Sequence, residues 1–263
     1  MKVVRTISEL PKLDSVGLVP TMGAFHGGHR ALFAAARAEN EHVVVSLFVN
    51  PAQFTEDADF ERYPRNEERD LRFAEEAGVD VVFAPGVEEL YPEGFATWVD
   101  VGELGSRLEG EFRPGHFRAV ATVCLKLFNL VQPRRAYFGQ KDAQQAAVMR
   151  QLVRDLNLDL ELRVVPTVRD EDGLALSSRN ALLSATERRV ALALPRALAT
   201  RDPERARELL RGMDVDYVEI AELDGQRVLA AAVRVGGTRL IDNVILEVPC
   251  QDSSWLGRTR QGD

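Results

Sequence analysis

VGLVPTMGAFHGGHRALFAAARAENEHVVVSLFVN, residues 16–50, decides the fold. It opens with an apolar run without alternation, VGLVP (16–20), which reads as a buried strand ending at Pro20. HRALFAAARAEN (29–40) follows with helical spacing and good helix formers, and HVVVSLFVN (42–50) is a β-branched run, the clearest strand in the chain. Strands that do not alternate, separated by a helix, imply a parallel sheet covered on both faces. Between the first strand and the helix lies a short turn. It carries His26 and His29, two of only four histidines, with Gly27 and Gly28 between them.

The same rhythm continues outward. NEERDLRFAEEAG (66–78) predicts an amphipathic helix stopped by Gly78, and VDVVFAP (79–85) a further buried strand. FRAVATVCLKLFNLVQ (117–132) predicts a buried helix, RAYFGQ (135–140) a strand, DAQQAAVMRQLVRDLN (142–157) a helix and LELRVVP (160–166) a strand. Together these give an α/β domain, a Rossmann-like doubly wound sheet of about five parallel strands. After the polar segment RDEDGLALSSRN (169–180) the pattern changes. SATERRVALALPRALATRDPERARELLRG (184–212) reads as helical with breaks near Pro195 and Pro203, and Ser184 with Glu187 forms a capping-box pattern. VDYVEIAEL (215–223) and RLIDNVILEV (239–248) read as strands, with RVLAAAVRVGG between them. The expected division is residues 1–171, a smaller α+β C-terminal domain over 172–248, and a polar tail over 249–263, expected to fray.

Composition limits the function. The apolar fraction of 45% is ordinary for a globular chain, and no stretch reaches the roughly 18 apolar residues of a membrane span. MKVVRTISEL contains no long apolar segment and does not read as a signal peptide, so a cytoplasmic protein without membrane contact is expected. Cys124 and Cys250 are too few for a disulfide framework, and Cys124 sits in an apolar run that predicts burial. A net charge of −8 argues against a nucleic-acid partner, since affinity for a phosphate backbone comes mainly from clustered Lys and Arg. A small anion remains compatible if a few cations gather in one cleft.

Three readings of the turn compete. His26 and His29 lack the four-residue spacing and the intervening Glu of the zinc metalloprotease helix, and no third ligand is near, which weakens a metal site. A plain strand-to-helix corner is the second. The third is a phosphate cradle: a helix N-terminus offers unpaired N–H groups and positive potential, and Gly23, Gly27 and Gly28 let backbone approach a ligand. The turn is neither G-x-G-x-x-G nor a Walker A motif. Two distant segments offer it partners. FGQKDAQQ (138–145) puts Lys141 at the carboxyl end of a strand, with Asp142 as a helix cap or a ligand for a hydroxyl. LALSSRN (174–180) brings Ser177, Ser178 and Arg179, suited to phosphate oxygens.

H-x-G-H after a first strand resembles the phosphate-binding turn of nucleotidyltransferases. With PTMGAFHGGH, VNPAQF, YPR, RPGHFRAVATV, FGQKDAQQ and DGLALSSRN in this order, residues 1–248 closely resemble the pantothenate synthetase (pantoate–β-alanine ligase) family. The resemblance implies a nucleotidyltransferase-type domain with a C-terminal lid, usually in a homodimer. It implies that pantoate attacks the α-phosphate of ATP to give pantoyl adenylate and pyrophosphate, after which β-alanine displaces AMP. Mg²⁺ accompanies the ATP.

Carried over by motif, Met22, Gly23, Ala24, Phe25, His26, Gly27, Gly28 and His29 would line the ATP phosphates, with His29 as proton donor and His26 its partner. Gly139, Gln140, Lys141 and Asp142 would contact ATP, Val168 the adenine, and Leu176, Ser177, Ser178 and Arg179 would form a mobile phosphate loop. His29, His26, Lys141 and Arg179 are the expected catalytic set. Gln53 and Gln145 would bind pantoate, with Arg113 and His116 beside them. Asp70 matches an acidic position associated with Mg²⁺, though its neighbour is Arg69 where some members carry Asp. Gly27, Arg30 and Ala143 also depart from the common pattern. The competing enzyme reading is another H-x-G-H nucleotidyltransferase acting on a small phosphorylated alcohol; VNPAQF and RPGHF argue against it. A catalytically idle nucleotide-binding module is disfavoured by the retained His26, His29, Lys141 and Ser177–Arg179.

Overall fold

A computed structural model describes residues 1–55 and 57–246. The tail 249–263 with Cys250, and the end of the strand predicted over 239–248, lie outside the described residues. The first part of the chain runs β1 (Lys2–Val4), β2 (Val16–Thr21), α1 (Gly27–Glu39), β3 (His42–Leu47), α2 (Asp57–Arg62), α3 (Glu67–Glu76) and β4 (Val81–Phe83). It continues through α4 (Val87–Leu90), α5 (Glu109–Phe112), α6 (His116–Val131), β5 (Arg135–Gly139), α7 (Ala143–Asp155) and β6 (Glu161–Val165). The remainder is α8 (Ala185–Ala191), α9 (Ala193–Ala199), α10 (Pro203–Leu209), β7 (Asp214–Leu223), β8 (Gln226–Val235) and β9 (Thr238–Ile245).

The larger sheet is parallel and six-stranded, in the order β1-β4-β3-β2-β5-β6. The sequence pattern predicts about five. The additional strand is β1, three residues at the edge paired with β4, too short to leave a periodic signal. From β2 the chain winds outward through β3 and β4, then crosses back to β5 on the other side. The switch point therefore lies between β2 and β5, where open α/β sheets bind ligands. The pairing shows the crevice opening. β2 pairs with β5 only at Gly17 and Leu18, while it pairs with β3 along its whole length. Arg134 N–H donates to the Val16 carbonyl and Phe48 N–H to the Thr21 carbonyl, so even-numbered residues of β2 face β5. Pro20 faces that side too, with no N–H to give, at a point where the β5 ladder has already ended.

Both faces of this sheet are covered. Phe117, Val120, Cys124, Leu127 and Phe128 of α6 and Val148, Met149 and Leu152 of α7 pack against one face, together with Leu18, Val44 and Phe83. Phe33 and Ala36 of α1 and Ala74 of α3 pack on the other with Val19, Val43, Val45 and Val82. Cys124 is buried there as expected.

The second sheet is antiparallel, in the order β7-β8-β9. RVLAAAVRVGG, left unassigned by its composition, supplies the central strand β8, whose Leu229, Ala231 and Val233 are buried with Leu194, Leu198, Ala206 and Leu210 of the covering helices. Ser184 caps α8, accepting from Glu187 N–H while the Glu187 carboxylate accepts from Ser184 N–H. The break expected near Pro195 is present. The interruption falls at Leu192, and Pro195 sits in the first turn of α9, where a missing N–H costs little. Pro203 does open α10.

The two sheets meet through α7 and α5. Ala143 and Ala147 of α7 pack with Tyr217, Ala221, Ala230 and Ala232 of β7 and β8. Beside this small-residue contact Glu109 is buried, 6% exposed. Its carboxylate accepts from the Tyr217 hydroxyl at 2.7 Å and from both terminal nitrogens of Arg239 at 2.5 and 2.8 Å. Burial works to raise its pKa, but the Arg239 and Tyr217 contacts outweigh it and hold the carboxyl below its usual range. Removing one member of a buried pair leaves the other desolvated and unmatched. Glu109→Ala is expected to lose about 3–5 kcal/mol in urea unfolding; a loss below about 1 kcal/mol would contradict this account of the junction.

Candidate active site

The turn after β2 is built from backbone N–H groups and the acceptors that take them. Gly23 and Ala24 are left-handed, at φ 87° and 52°. Asp70, from α3, accepts the Ala24 N–H at 2.7 Å and the Phe25 N–H at 2.8 Å. His26 caps α1, and its Nδ1 accepts the Gly28 N–H at 3.1 Å. The His26 N–H in turn donates to His29 Nδ1 at 3.2 Å. This reciprocal cap starts α1 two residues earlier than the pattern predicts.

The hydrogen bonds choose the tautomers. Each Nδ1 is an acceptor, so each neutral ring carries its proton on Nε2. The rings stand 4.2 Å apart at 51°. Burial, then the Lys141 charge, lowers the His26 pKa to about 4; burial, then His26 and Lys141, lowers that of His29 to about 3. Both are neutral donors at pH 7. The glycines between them make room for side chains. A Cβ on Gly28 would meet His26 Cε1 at 2.9 Å, and one on Gly27 would meet Leu176 Cδ1 at 3.0 Å.

The rest of the cleft gathers from the far side of the switch point. It is an open cleft with about 1390 Å³ of empty volume, solvent at its mouth included. Met22, His26, Gly28, His29, Gln53, Arg113, His116, Gly139, Lys141, Asp142, Gln145, Val168, Leu176, Ser177, Ser178 and Arg179 all line it. The sequence-predicted residues thus come together from distant segments of the chain. Six do not line this cleft: Gly23, Ala24 and Phe25 are buried behind the turn, Gly27 faces Leu176, Asp70 lies beneath, and Gln140 bonds Asn243 of β9 through its side chain at 3.1 Å.

Lys141 Nζ stands 3.6 Å from the Asp142 carboxylate. Asp142 occupies the cap position of α7 but makes no side-chain cap bond. Asn243 holds the Gln140 and Lys141 carbonyls at 2.9 Å each, fixing this turn from the second sheet. Ser177 caps the short turn Ser178–Leu182 by accepting the Arg179 N–H. Arg179 pairs with Asp59 at 3.2 Å and lies over Tyr63. The Val168 carbonyl accepts from Leu176 N–H, joining the end of β6 to this loop.

Gln53 is buried in a short turn opened by Asn50 and Pro51. Its carbonyl accepts from His116 Nδ1 at 3.0 Å and from Arg113 at 3.2 Å. His116 is therefore the opposite tautomer, with Nε2 facing the Arg113 guanidinium at 3.2 Å. Burial, then the Arg113 charge, takes its pKa to about 3. Arg113 and His116 line the cleft and also hold Gln53 in place. Asp59, Tyr63, Glu109 and Asn243 escaped sequence reasoning. Tyr63 lies in the quoted YPR motif, and nothing in the spacing marked the other three.

Residues 2–245 match the family described as pantoate-beta-alanine ligase. A protein of Aquifex aeolicus named pantothenate synthetase is 53% identical, covering 87% of this chain and 90% of its own length. One from Roseiflexus castenholzii with that name is 52% identical, covering 94% and 100%. Among solved structures, pantothenate synthetase from Thermus thermophilus superposes with TM-score 0.89 at 48% identity, covering 93% of this chain and 99% of that one. The pantoate-beta-alanine ligase of Francisella tularensis, complexed with beta-gamma ATP and beta-alanine, superposes with TM-score 0.83 at 34% identity, covering 93% and 97%.

The three shifted histidines make stability depend on pH. Their folded pKa values, about 4, 3 and 3, lie below the ordinary 6.5. Below pH 6.5 the unfolded chain takes up protons that the folded chain refuses. Stability is therefore full above 6.5 and falls as pH drops through the folded values. Urea unfolding between about pH 7.5 and 5 is expected to show a loss near 1 kcal/mol per pH unit per group. His116→Gln should flatten the slope; a stability independent of pH in this window would contradict the burial assigned to these rings.

Proposed function

The chain belongs to the pantoate–β-alanine ligase family, and on that premise we propose how its cleft joins the two substrates. It is an ATP-binding ligase of pantothenate biosynthesis that condenses pantoate with β-alanine. In the first step a pantoate carboxylate oxygen attacks the α-phosphorus of ATP, forming an acyl–O–P bond as the bond to pyrophosphate breaks. In the second, the β-alanine amine attacks the acyl carbon, AMP leaves with the bridging oxygen, and the amine loses a proton to give the amide.

The observation that carries the reading is the reciprocal cap of the H-x-G-H turn. Two backbone N–H groups occupy both Nδ1 atoms, so the donors that His26 and His29 can offer a phosphate oxygen are their Nε2–H groups. Fixed donors aimed where charge gathers stabilise a transition state without reorganising. A neutral imidazole does so without the cost of placing an imidazolium beside Lys141. Lys141, Ser177, Ser178 and Arg179 supply the remaining donors and charge for the phosphates, and Val168 meets the adenine through its backbone. Arg179 is held by Asp59 in the open cleft and exchanges that carboxylate for phosphate.

Gln53 and Gln145 recognise the pantoate hydroxyl and carboxylate without adding charge. Arg113 and His116 steady Gln53. Residues 172–248 close over residues 1–171, carrying the Ser177–Arg179 loop and sheltering the acyl adenylate from water. Mg²⁺ arrives as the counter-ion of ATP. The family implies a homodimer, and a cytoplasmic enzyme fits the pathway.

Pantoate alone is expected to support exchange of labelled pyrophosphate into ATP, and AMP release is expected to require β-alanine as well. An active enzyme without pantoate-dependent exchange would overturn the adenylate route. His29→Ala should slow exchange by about 10²–10³-fold with the fold retained by circular dichroism; near-normal exchange would refute its role.

A further inference from the structure

Behind the histidine turn stands a second layer. Asp70, 2% exposed, is the fourth residue of α3 and far from α1 in sequence. Its Oδ2 accepts from Ala24 N–H at 2.7 Å and its Oδ1 from Phe25 N–H at 2.8 Å. Its neighbour Arg69 donates to the Phe25 carbonyl at 3.4 Å. Consecutive residues of one helix thus hold the Ala24 and Phe25 N–H groups and the Phe25 carbonyl. The grip is tight: a Cβ on Gly23 would stand 2.9 Å from Asp70 Oδ2 and 2.6 Å from Leu47 Cδ1. The next amide in line, that of His26, is the one that sets the His29 tautomer.

We propose that Asp70 is a positioning residue, which with Arg69 clamps the turn at Ala24 and Phe25 and so aims the His26–His29 pair, and that it does not hold a metal ion. The inference rests on the reading of the cleft as the ATP site. Charge-assisted bonds to two amides hold a left-handed segment that would otherwise be strained. A Mg²⁺ ligand needs a different setting, because that ion keeps several waters when protein carboxylates bind it. Asp70 is closed off from water, both its oxygens serve backbone, and no group of three or more His, Cys, Asp or Glu with metal-site geometry stands among the described residues. The residues present do not fit a resident metal.

The first test uses wild-type protein without nucleotide, titrated with Mn²⁺ as a paramagnetic probe. The Ala24 and Phe25 amide resonances are expected to stay sharp and their hydrogens to exchange slowly. Selective broadening at Asp70 and these amides would overturn the proposal. In Asp70→Asn the side-chain amide sets a donor against a donor. Pantoate-dependent exchange should fall about tenfold to a hundredfold in kcat, with faster hydrogen exchange at Ala24 and Phe25 and an unchanged Mg²⁺ requirement. Arg69→Met, at an exposed residue, should lose activity a few-fold in the same pattern. A raised Mg²⁺ requirement with kcat retained would contradict the clamp. If wild-type protein lacks exchange activity, the functional reading fails by itself, and the Mn²⁺ and hydrogen-exchange measurements still decide for or against the clamp.

Discussion

Backbone N–H groups freed where β2 ends and α1 begins must find acceptors, and the way this chain pairs them controls what the cleft can do. A strand hands over to a helix within a few residues, leaving amides of the connecting turn and of the helix start without carbonyl partners. Asp70 takes those of Ala24 and Phe25, His29 that of His26, and His26 that of Gly28. Ordinary helix caps use Ser, Thr, Asp or Asn. Imidazole in that place satisfies the amide and, by the same bond, orients a second nitrogen. The cap thus also decides which nitrogen each ring turns to the cleft, and Gly28 follows from it, since a Cβ there would crowd the His26 ring.

The electrostatic division of the cleft follows next. The pair of histidines stays neutral, and the positive charge comes from Lys141, Arg113 and Arg179, each borne by a different segment. A chain of net charge −8 can then bind anions because these cations converge at one switch point. Each cation has a carboxylate at hand: Asp142 for Lys141, Asp59 for Arg179, and Glu109 4.0 Å from Arg113. Glu109 also belongs to the buried junction with Tyr217 and Arg239, so the geometry around Gln53 depends on how the antiparallel sheet sits.

Much of this was legible in residues 16–50. Unbroken apolar runs on either side of a helix announce a covered parallel sheet, and their spacing located β2, α1 and β3 to within a few residues. That the H-x-G-H turn, Lys141 and Ser177–Arg179 share one cleft was legible too, because each sits at the end of an element, where open α/β sheets gather their clefts. What stayed hidden depends on tertiary pairing. β1 is three residues long and exists because β4 offers it an edge. Asp70 matches by motif an acidic position associated with Mg²⁺, and only the fold brings both of its oxygens onto the amides of Ala24 and Phe25. Asp59, Glu109 and Asn243 carry no local signature, since their partners lie far along the chain.

The central claim is that two backbone amides lock His26 and His29 as neutral Nε2–H donors. Imidazole ¹⁵N chemical shifts of the wild-type protein, followed from about pH 5.5 to 8, test it most directly. Both rings are expected to show a protonated Nε2, a bare Nδ1 and no titration across that range. Either ring titrating near its ordinary value, or carrying its proton on Nδ1, would contradict it.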